Sequence, residues 1–148
     1  MLPCGVGFVP PVAMGGRSIG GAGFLYDHVT GAGQHGLRTW TWLKEEGKPG
    51  VHVLVDVPGA NNVGLLIRTW GKVIQTDAQS FDLDDGSGFD HGDPLVPGVK
   101  VVLPPGVTPP NKDDYVVVTG VSSCYRSDNN AFHVVLVRSA GDVQIVQH

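Results

Sequence analysis

Glycine and proline recur so often along this chain that no long helix fits between them. The 148 residues include 22 glycines and 11 prolines, about twice the share that average usage gives. Proline removes a backbone donor and glycine costs conformational entropy inside regular elements, so the composition favours many turns and short strands. Valine dominates the aliphatic residues of the second half, and β-branched side chains suit strands. The sequence predicts an all-β fold.

Residues 62–148 contain five segments typical of strands, separated by turn signals. Asp85-Gly86 follows the second segment, and a proline-rich run at 104–110, which is hostile to helix, follows the third. Five antiparallel strands within about 85 residues favour a small closed barrel, and Gly71 stands where a long first strand would bend. The segments are 63–76, 80–84, 99–103, 115–123 and 131–137, the last continuing through a break at Gly141 into 143–146.

Residues 1–61 are expected to form an extension in front of that barrel, with the break Pro58-Gly59-Ala60-Asn61-Asn62 as the boundary. Residues 1–36 are loop-like and cannot fold alone; their isolated apolar residues either anchor them on the barrel or reach a neighbouring molecule. Residues 37–57 alternate on both sides of a turn cluster at 45–50 and predict a β-hairpin. The isolated apolar residues are Phe8, Ile19, Phe24 and Tyr26.

Four stretches of the second half resemble a known fold family. They are GLLIRTWGKV at 64–73, FDLDDGSG at 81–88, VKVV at 99–102 and DYVVVTGV at 114–121. In this order they are similar to OB-fold domains of the nucleic-acid-binding, anticodon-binding-like type, and in particular to OB modules at the C-termini of large exported bacterial proteins. PVAMGGR at 11–17 also has a look-alike upstream of those modules. The resemblance implies a five-stranded Greek-key barrel that serves nucleic acids or oligosaccharides, without specifying a chemistry.

The charge balance weighs against nonspecific nucleic-acid binding. The chain has ten basic and fourteen acidic residues, and residues 62–148 carry ten acids and six bases. Proteins that bind by neutralising phosphates usually show a basic excess or stripe.

Alternation along the first strand places Arg68, Trp70 and Lys72 on one face. An aromatic ring between two cations suits stacking of a base or a pyranose, with the cations holding phosphate or hydroxyl groups. The alternative is a solvated face on which Asp82 and Asp84 of the second strand form cross-strand ion pairs with these cations.

Three further residues are candidates for ligand binding. Trp40 and Trp42 share a face of the hairpin, where they form either a stacking surface or a surface packed on the barrel. Lys100 of the third strand is the remaining candidate cation.

Two alternatives involve metal-binding and thiol side chains. Asp90, His91 and Asp93 could ligate a metal ion, although the segment lacks the spacing of a calcium loop and Asp85-Gly86 already serves as a turn. Cys4 and Cys124 form either a disulfide that closes a long loop or two separate buried thiols.

Catalysis finds little support. The six histidines are scattered without paired spacing, and the sequence contains neither a G-x-S-x-G elbow nor a phosphate-binding loop. The sequence predicts neither an enzyme nor a cofactor.

These observations leave two hypotheses of function. The first is a non-catalytic OB-fold module of an exported bacterial protein that binds single-stranded nucleic acid or an oligosaccharide. The second is a structural protein whose N-terminal extension adds to a neighbour's sheet edge and builds an extracellular homo-oligomer or polymer. No stretch approaches the roughly 20 apolar residues of a membrane span. An extracellular or cell-surface location with the leader absent is expected, with a cytoplasmic one as the alternative.

Overall fold

The computed structural model describes residues 10–21, 26–27, 32–33, 37–57, 60–88, 96–127 and 130–147. Its regular structure is all strand apart from two single 3₁₀ turns at Gly16–Ser18 and Ala140–Asp142, and no α-helix lies among these residues. The all-β prediction is confirmed. The strands are β1 (Val12–Ala13), β2 (Tyr26–Asp27), β3 (Ala32–Gly33), β4 (Arg38–Leu43), β5 (Val51–Asp56), β6 (Leu66–Thr76), β7 (Ser80–Asp84), β8 (Val99–Val102), β9 (Tyr115–Ser127), β10 (Asn130–Leu136) and β11 (Val143–Gln147).

The strand that opens the second half begins later than its sequence suggests. The prediction started it at Val63, whereas β6 starts at Leu66. A turn precedes it: Gly64 has a φ of 91°, and the Leu65 amide donates to the Asn62 carbonyl at 3.1 Å. Val63 and Leu65 of this turn are exposed, and the Leu65 carbonyl still accepts from the Ser122 amide of β9 at 2.9 Å.

Five strands pair in a closed cycle. β6 pairs antiparallel with β7 and with β9, and β7 pairs antiparallel with β8. β8 pairs in parallel with β10, and β10 returns antiparallel to β9. The inner faces of this cycle form one core cluster, which consists of Ile19, Ile67, Val73, Phe81, Leu83, Val99, Val101, Leu103, Val116, Val118, Val135 and Val137.

The two ends of the cycle are covered by irregular chain. At the end of β6, the run that follows β8 contributes Leu103 to the core and Val107 against it, and the Thr76 hydroxyl donates to the Pro110 carbonyl at 3.2 Å. Four prolines and a glycine in the run prevent a helix there. The start of β6 is covered instead by the N-terminal segment.

That N-terminal segment, residues 12–20, packs on its own chain. β1 pairs in parallel with β6 at Val12↔Ile67, and the Met14 amide donates to the Arg68 carbonyl at 3.0 Å. Ile19 is fully buried in the core cluster. Within the described residues the extension therefore wraps its own body, which is one of the two outcomes expected for it. The anchors Phe8 and Phe24, and the side chain of Tyr26, lie outside the described residues.

The predicted hairpin is present as β4 and β5, which pair antiparallel from Arg38↔Asp56 to Leu43↔Val51. It joins the same sheet, because β4 pairs in parallel with β10 at Arg38↔Phe132. Its base is fixed by Arg38, whose Nη2 donates to the Leu54 carbonyl at 3.0 Å. Arg38 Nε also lies 3.6 Å from Asp56 Oδ1.

The end of the chain follows the predicted break. β10 and β11 both pair with β9, β10 over residues 121–127 and β11 over 115–118. The 3₁₀ turn at Ala140–Asp142 separates them. Among the described residues, no helix is long and apolar enough to cross a bilayer.

Candidate ligand-binding face

Three predicted residues of β6 point away from the core, as their alternation requires. Ile67, Thr69, Gly71 and Val73 face inward, while Arg68 and Trp70 are exposed. Trp70 keeps 52% of its surface in solvent. A large ring left exposed in the middle of an ordered strand is unusual, because burial is the commoner use of tryptophan.

A second aromatic ring stands beside Trp70 on the neighbouring strand. Register places Trp70 opposite Val117 and Lys72 opposite Tyr115, so Trp70 and Tyr115 are diagonal neighbours. Such neighbours lie about 7–8 Å apart, within reach of aromatic side chains. Tyr115 is 45% exposed, and the two strands therefore present a pair of solvent-facing rings.

These rings border a shallow, open depression of about 340 Å³, called here the Trp70 depression. One side is formed by β6 and the start of β9, and the other by the turn that follows β7. The residues that line it are Trp70, Gly71, Lys72, Asp84, Asp85, Gly86 and Tyr115.

Gly71 sets the floor of the Trp70 depression. A Cβ at this position would lie 2.4 Å from the Asp84 carbonyl oxygen and 3.1 Å from the Asp85 amide nitrogen. Only glycine allows the β7 turn to approach β6 this closely. The predicted bend at Gly71 is therefore a close backbone approach, and the register shift in β6 falls further along, between Val73 and Gln75.

The acidic wall of the depression is held by backbone donors. Asp84 Oδ1 accepts from the Gly86 amide at 2.8 Å, and Asp85 Oδ1 accepts from the Ser87 amide at 3.0 Å. Asp85 Oδ2 also accepts from the Gly16 amide at 2.6 Å. The DDGSG turn is thereby tied to the N-terminal segment, so the wall is ordered before any ligand arrives.

Lys72 pairs with a carboxylate that sequence reasoning missed. Its ammonium lies 2.7 Å from Asp113 Oδ1. The hydrogen bond with Asp113, reinforced by the charge attraction, raises the pKa of Lys72, and the same contact lowers the pKa of Asp113. Asp113 adopts a φ of 75° in the turn before β9, which aspartate tolerates better than most residues.

The cross-strand ion pairs of Arg68 and Lys72 with Asp82 and Asp84 were a wrong prediction, because both cations have other partners. Asp84 does lie opposite Lys72, but one of its oxygens accepts from the turn instead. Asp82 is almost fully buried and lies opposite Gln75 of β6, beyond the register shift. Arg68 donates to Gln144 Oε1 of β11 at 3.1 Å.

The other three candidate residues do not line the Trp70 depression. Lys100 lies directly across from Asp82, and its ammonium is 3.9 Å from Asp82 Oδ1. Trp42 is 56% exposed on the hairpin, with its ring edge-on to His52 at 4.8 Å between centroids. Trp40 is half-buried on the same strand. The sequence candidates thus separate into one group on β6 and another on the hairpin.

The metal and disulfide hypotheses fall mainly on residues outside the description. Asp90, His91 and Asp93 lie there, and so does Cys4. Among the described residues no cluster of three or more potential metal ligands occurs. Cys124 is exposed on β9, so the alternative of two buried thiols was wrong for this residue. The disulfide stays a prediction.

Tyr115 and Asp113 are the residues of this site that the sequence did not reveal. Tyr115 begins β9, a strand that the sequence predicted, but its place beside Trp70 depends on the pairing of β6 with β9. Asp113 lies in a turn, where the alternation of a strand does not predict which way a side chain points.

Comparison with known proteins adds no relative: no family model, no curated protein and no solved structure matches this chain.

Proposed function

We propose that the five-stranded cycle is an OB-type Greek-key barrel and that the chain is a non-catalytic binding module. If β6 to β10 are numbered 1 to 5 in chain order, their order in the cycle is 1-2-3-5-4, and strand 4 pairs again with strand 1. Its only parallel contact joins the third and fifth strands. This order agrees with the OB architecture and with the resemblance of the motifs at 64–73, 81–88, 99–102 and 114–121.

The observation that carries the binding proposal is the pair of exposed rings, Trp70 and Tyr115, at an ordered depression. Neither ring contributes to the core cluster. Stacking of a ligand ring on an aromatic side chain contributes about 1–3 kcal/mol. The depression is open, so it suits a short stretch of an extended polymer better than a small enclosed ligand.

This site is expected to bind without turnover. Lys72, the one amine on the depression, is held in its protonated form by Asp113, and an ammonium at neutral pH is neither a base nor a nucleophile. The same ion pair fixes its side chain as part of the wall.

The binding face differs from the one that OB domains commonly use. OB domains usually bind their ligands through their second and third strands. Here Asp82 on the second strand, β7, is buried next to Lys100 of β8. The first and fourth strands, extended by β11, offer the exposed aromatic surface instead.

An exported protein with this module at the cell surface or outside the cell remains our proposal for location, supported by composition and by the resemblance. Self-association through the N-terminal extension is less supported, because β1 and Ile19 already occupy the edge and the core of their own chain.

The experiment is a titration of labelled single-stranded oligonucleotides and oligosaccharides by fluorescence anisotropy. Trp70→Ala is expected to weaken binding about tenfold or more, as the loss of one stacking contact requires. Trp42→Ala is the matched variant, since that ring is similarly exposed but lies outside the depression. No binding to any probe at low salt, or equal affinity of wild type and Trp70→Ala, would refute the proposal.

A further inference from the structure

We infer that the Trp70 depression binds an uncharged oligosaccharide rather than a nucleic acid, an inference that rests on the binding function proposed above. The exposed rings alone do not choose between the two ligands, because bases and pyranoses both stack on aromatic side chains. The choice comes from the charged and hydrogen-bonding groups around the rings.

Carboxylates outnumber cations at the depression. Asp84 and Asp85 line it, and Asp113 lies 2.7 Å from Lys72, the only cation of the lining. The ion pair cancels the charge of Lys72, and the two lining carboxylates then leave the surface negative. A phosphate backbone laid across this lining would be repelled by Asp84 and Asp85.

Half of the cations of residues 62–148, three of six, are already paired with carboxylates. These pairs are Lys72 with Asp113, Lys100 with Asp82, and Arg138 with Asp142. Arg68 remains as an exposed cation on the Trp70 face, bonded to a neutral amide.

The same groups suit a chain of hydroxyl-bearing rings. A pyranose presents a C–H face to an indole while its equatorial hydroxyls point outward at its edges. Asp84 and Asp85 offer carboxylate oxygens at the rim, and a hydroxyl donor forms a short, strong hydrogen bond with a carboxylate. On the opposite side of Trp70, the Arg68–Gln144 pair offers further donors to the sugar oxygens.

The open shape agrees with internal units of a polymer. The depression lies along an exposed sheet face, and the rings of Trp70 and Tyr115 sit on adjacent strands. Two neighbouring sugar units can therefore rest on two rings while the chain continues in both directions. The negative wall also predicts that acidic polysaccharides bind poorly, so the ligand class is the neutral glycans.

The test compares neutral with charged ligands, and one pair of probes differs only in the esterification of its carboxyl groups. The probes are cellohexaose, chitohexaose, a fully methyl-esterified oligogalacturonate, the same oligogalacturonate without esters, and an oligothymidylate of about 12 nucleotides. Binding to the full chain is measured by isothermal titration at about 20 mM and about 500 mM salt. At least one neutral probe is expected to bind with nearly equal affinity at both salt concentrations, and the esterified oligomer to bind better than the acid form.

Three variants locate the contact. Trp70→Ala and Tyr115→Ala are each expected to lower glycan affinity about tenfold. Asp113→Asn unmasks Lys72 and is expected to raise the affinity for the oligonucleotide; asparagine tolerates the positive φ of this position. Melting curves of each variant separate lost contacts from lost fold.

The outcomes distinguish the two levels of the proposal. If the oligonucleotide or the acidic glycan binds, weakens with salt and depends on Trp70, while no neutral glycan binds, the binding site stands and the saccharide inference is overturned. If no probe binds, or if binding ignores both Trp70→Ala and Tyr115→Ala, the proposed function fails with it.

Discussion

Ser122 of β9 donates its hydroxyl to Asn62 Oδ1 at 2.8 Å. The same oxygen accepts from the Gly20 amide at 2.7 Å, and the Asn62 amide group donates to the Ser18 carbonyl at 2.5 Å. One buried side chain therefore joins the N-terminal segment, the turn before β6 and the middle of β9. Asn62 stands in the break that the sequence suggested as a domain boundary.

Asn62→Ala is expected to destabilise the fold by about 2–3 kcal/mol, because it leaves the Gly20 amide and the Ser122 hydroxyl buried without an acceptor. Urea unfolding followed by fluorescence measures the change. Asn61→Ala is the neighbouring control: Asn61 is exposed and accepts only from the Val63 amide two residues on. Its effect should stay within about 0.5 kcal/mol. Equal urea midpoints for the two variants would show that the hydrogen bonds of Asn62 do not stabilise the fold.

Ile19→Ala tests whether the N-terminal segment is part of the folding unit. Ile19 is fully buried and belongs to the same cluster as Phe81 and Val118, and truncating a buried isoleucine costs about 2–5 kcal/mol. Val12→Ala, on the same segment but half exposed, is expected to change stability far less.

Thermal and urea unfolding of the two variants provide the comparison. A single cooperative transition that shifts as a whole in Ile19→Ala is expected, since the core cluster contains residues of the segment and of the five-stranded cycle. A wild-type midpoint in that variant would show that the segment docks without contributing to the core.

Much of this fold could be predicted from local pattern. The alternation of β6, the turn residues Asp85-Gly86 and the hairpin at 37–57 each depend on neighbours in the chain. The pairing of Lys72 with Asp113 and the burial of Asp82 depend instead on long-range register and on a shift between Val73 and Gln75. No local sequence pattern indicates such a shift. The sequence therefore predicted the sheet face on which Trp70 lies, but not the residues that surround it.

Gly71→Ala is expected to disturb both stability and ligand binding. The new methyl group would meet the Asp84 carbonyl oxygen at 2.4 Å, so the β7 turn must move away, at a cost of about 1–3 kcal/mol. The Trp70 depression, whose floor is this contact, would change shape.

Gly141→Ala is the control for that substitution. Its nearest atom would be the Ser139 hydroxyl oxygen at 3.9 Å, and its φ is not in the left-handed region. Stability should be unchanged or slightly raised, since alanine restricts the unfolded chain. A Gly71→Ala variant as stable as Gly141→Ala, with unaltered ligand affinity, would contradict the close approach of the two strands.

The Arg138–Asp142 ion pair lies in the turn between β10 and β11, and we expect its contribution to stability to be lost in acid. Arg138 donates to Asp142 through Nη2 at 2.8 Å and through Nε at 3.2 Å, and this contact lowers the pKa of the Asp142 carboxyl below its ordinary value of 3.8. Because the folded pKa lies below the unfolded one, the stabilisation is complete above that ordinary value and disappears as the pH falls through the folded pKa. Asp142→Asn should therefore melt below wild type at neutral pH. The gap should narrow as the pH falls below about 4, and a gap that stayed constant into strong acid would show that the carboxylate charge of Asp142 does not stabilise this turn.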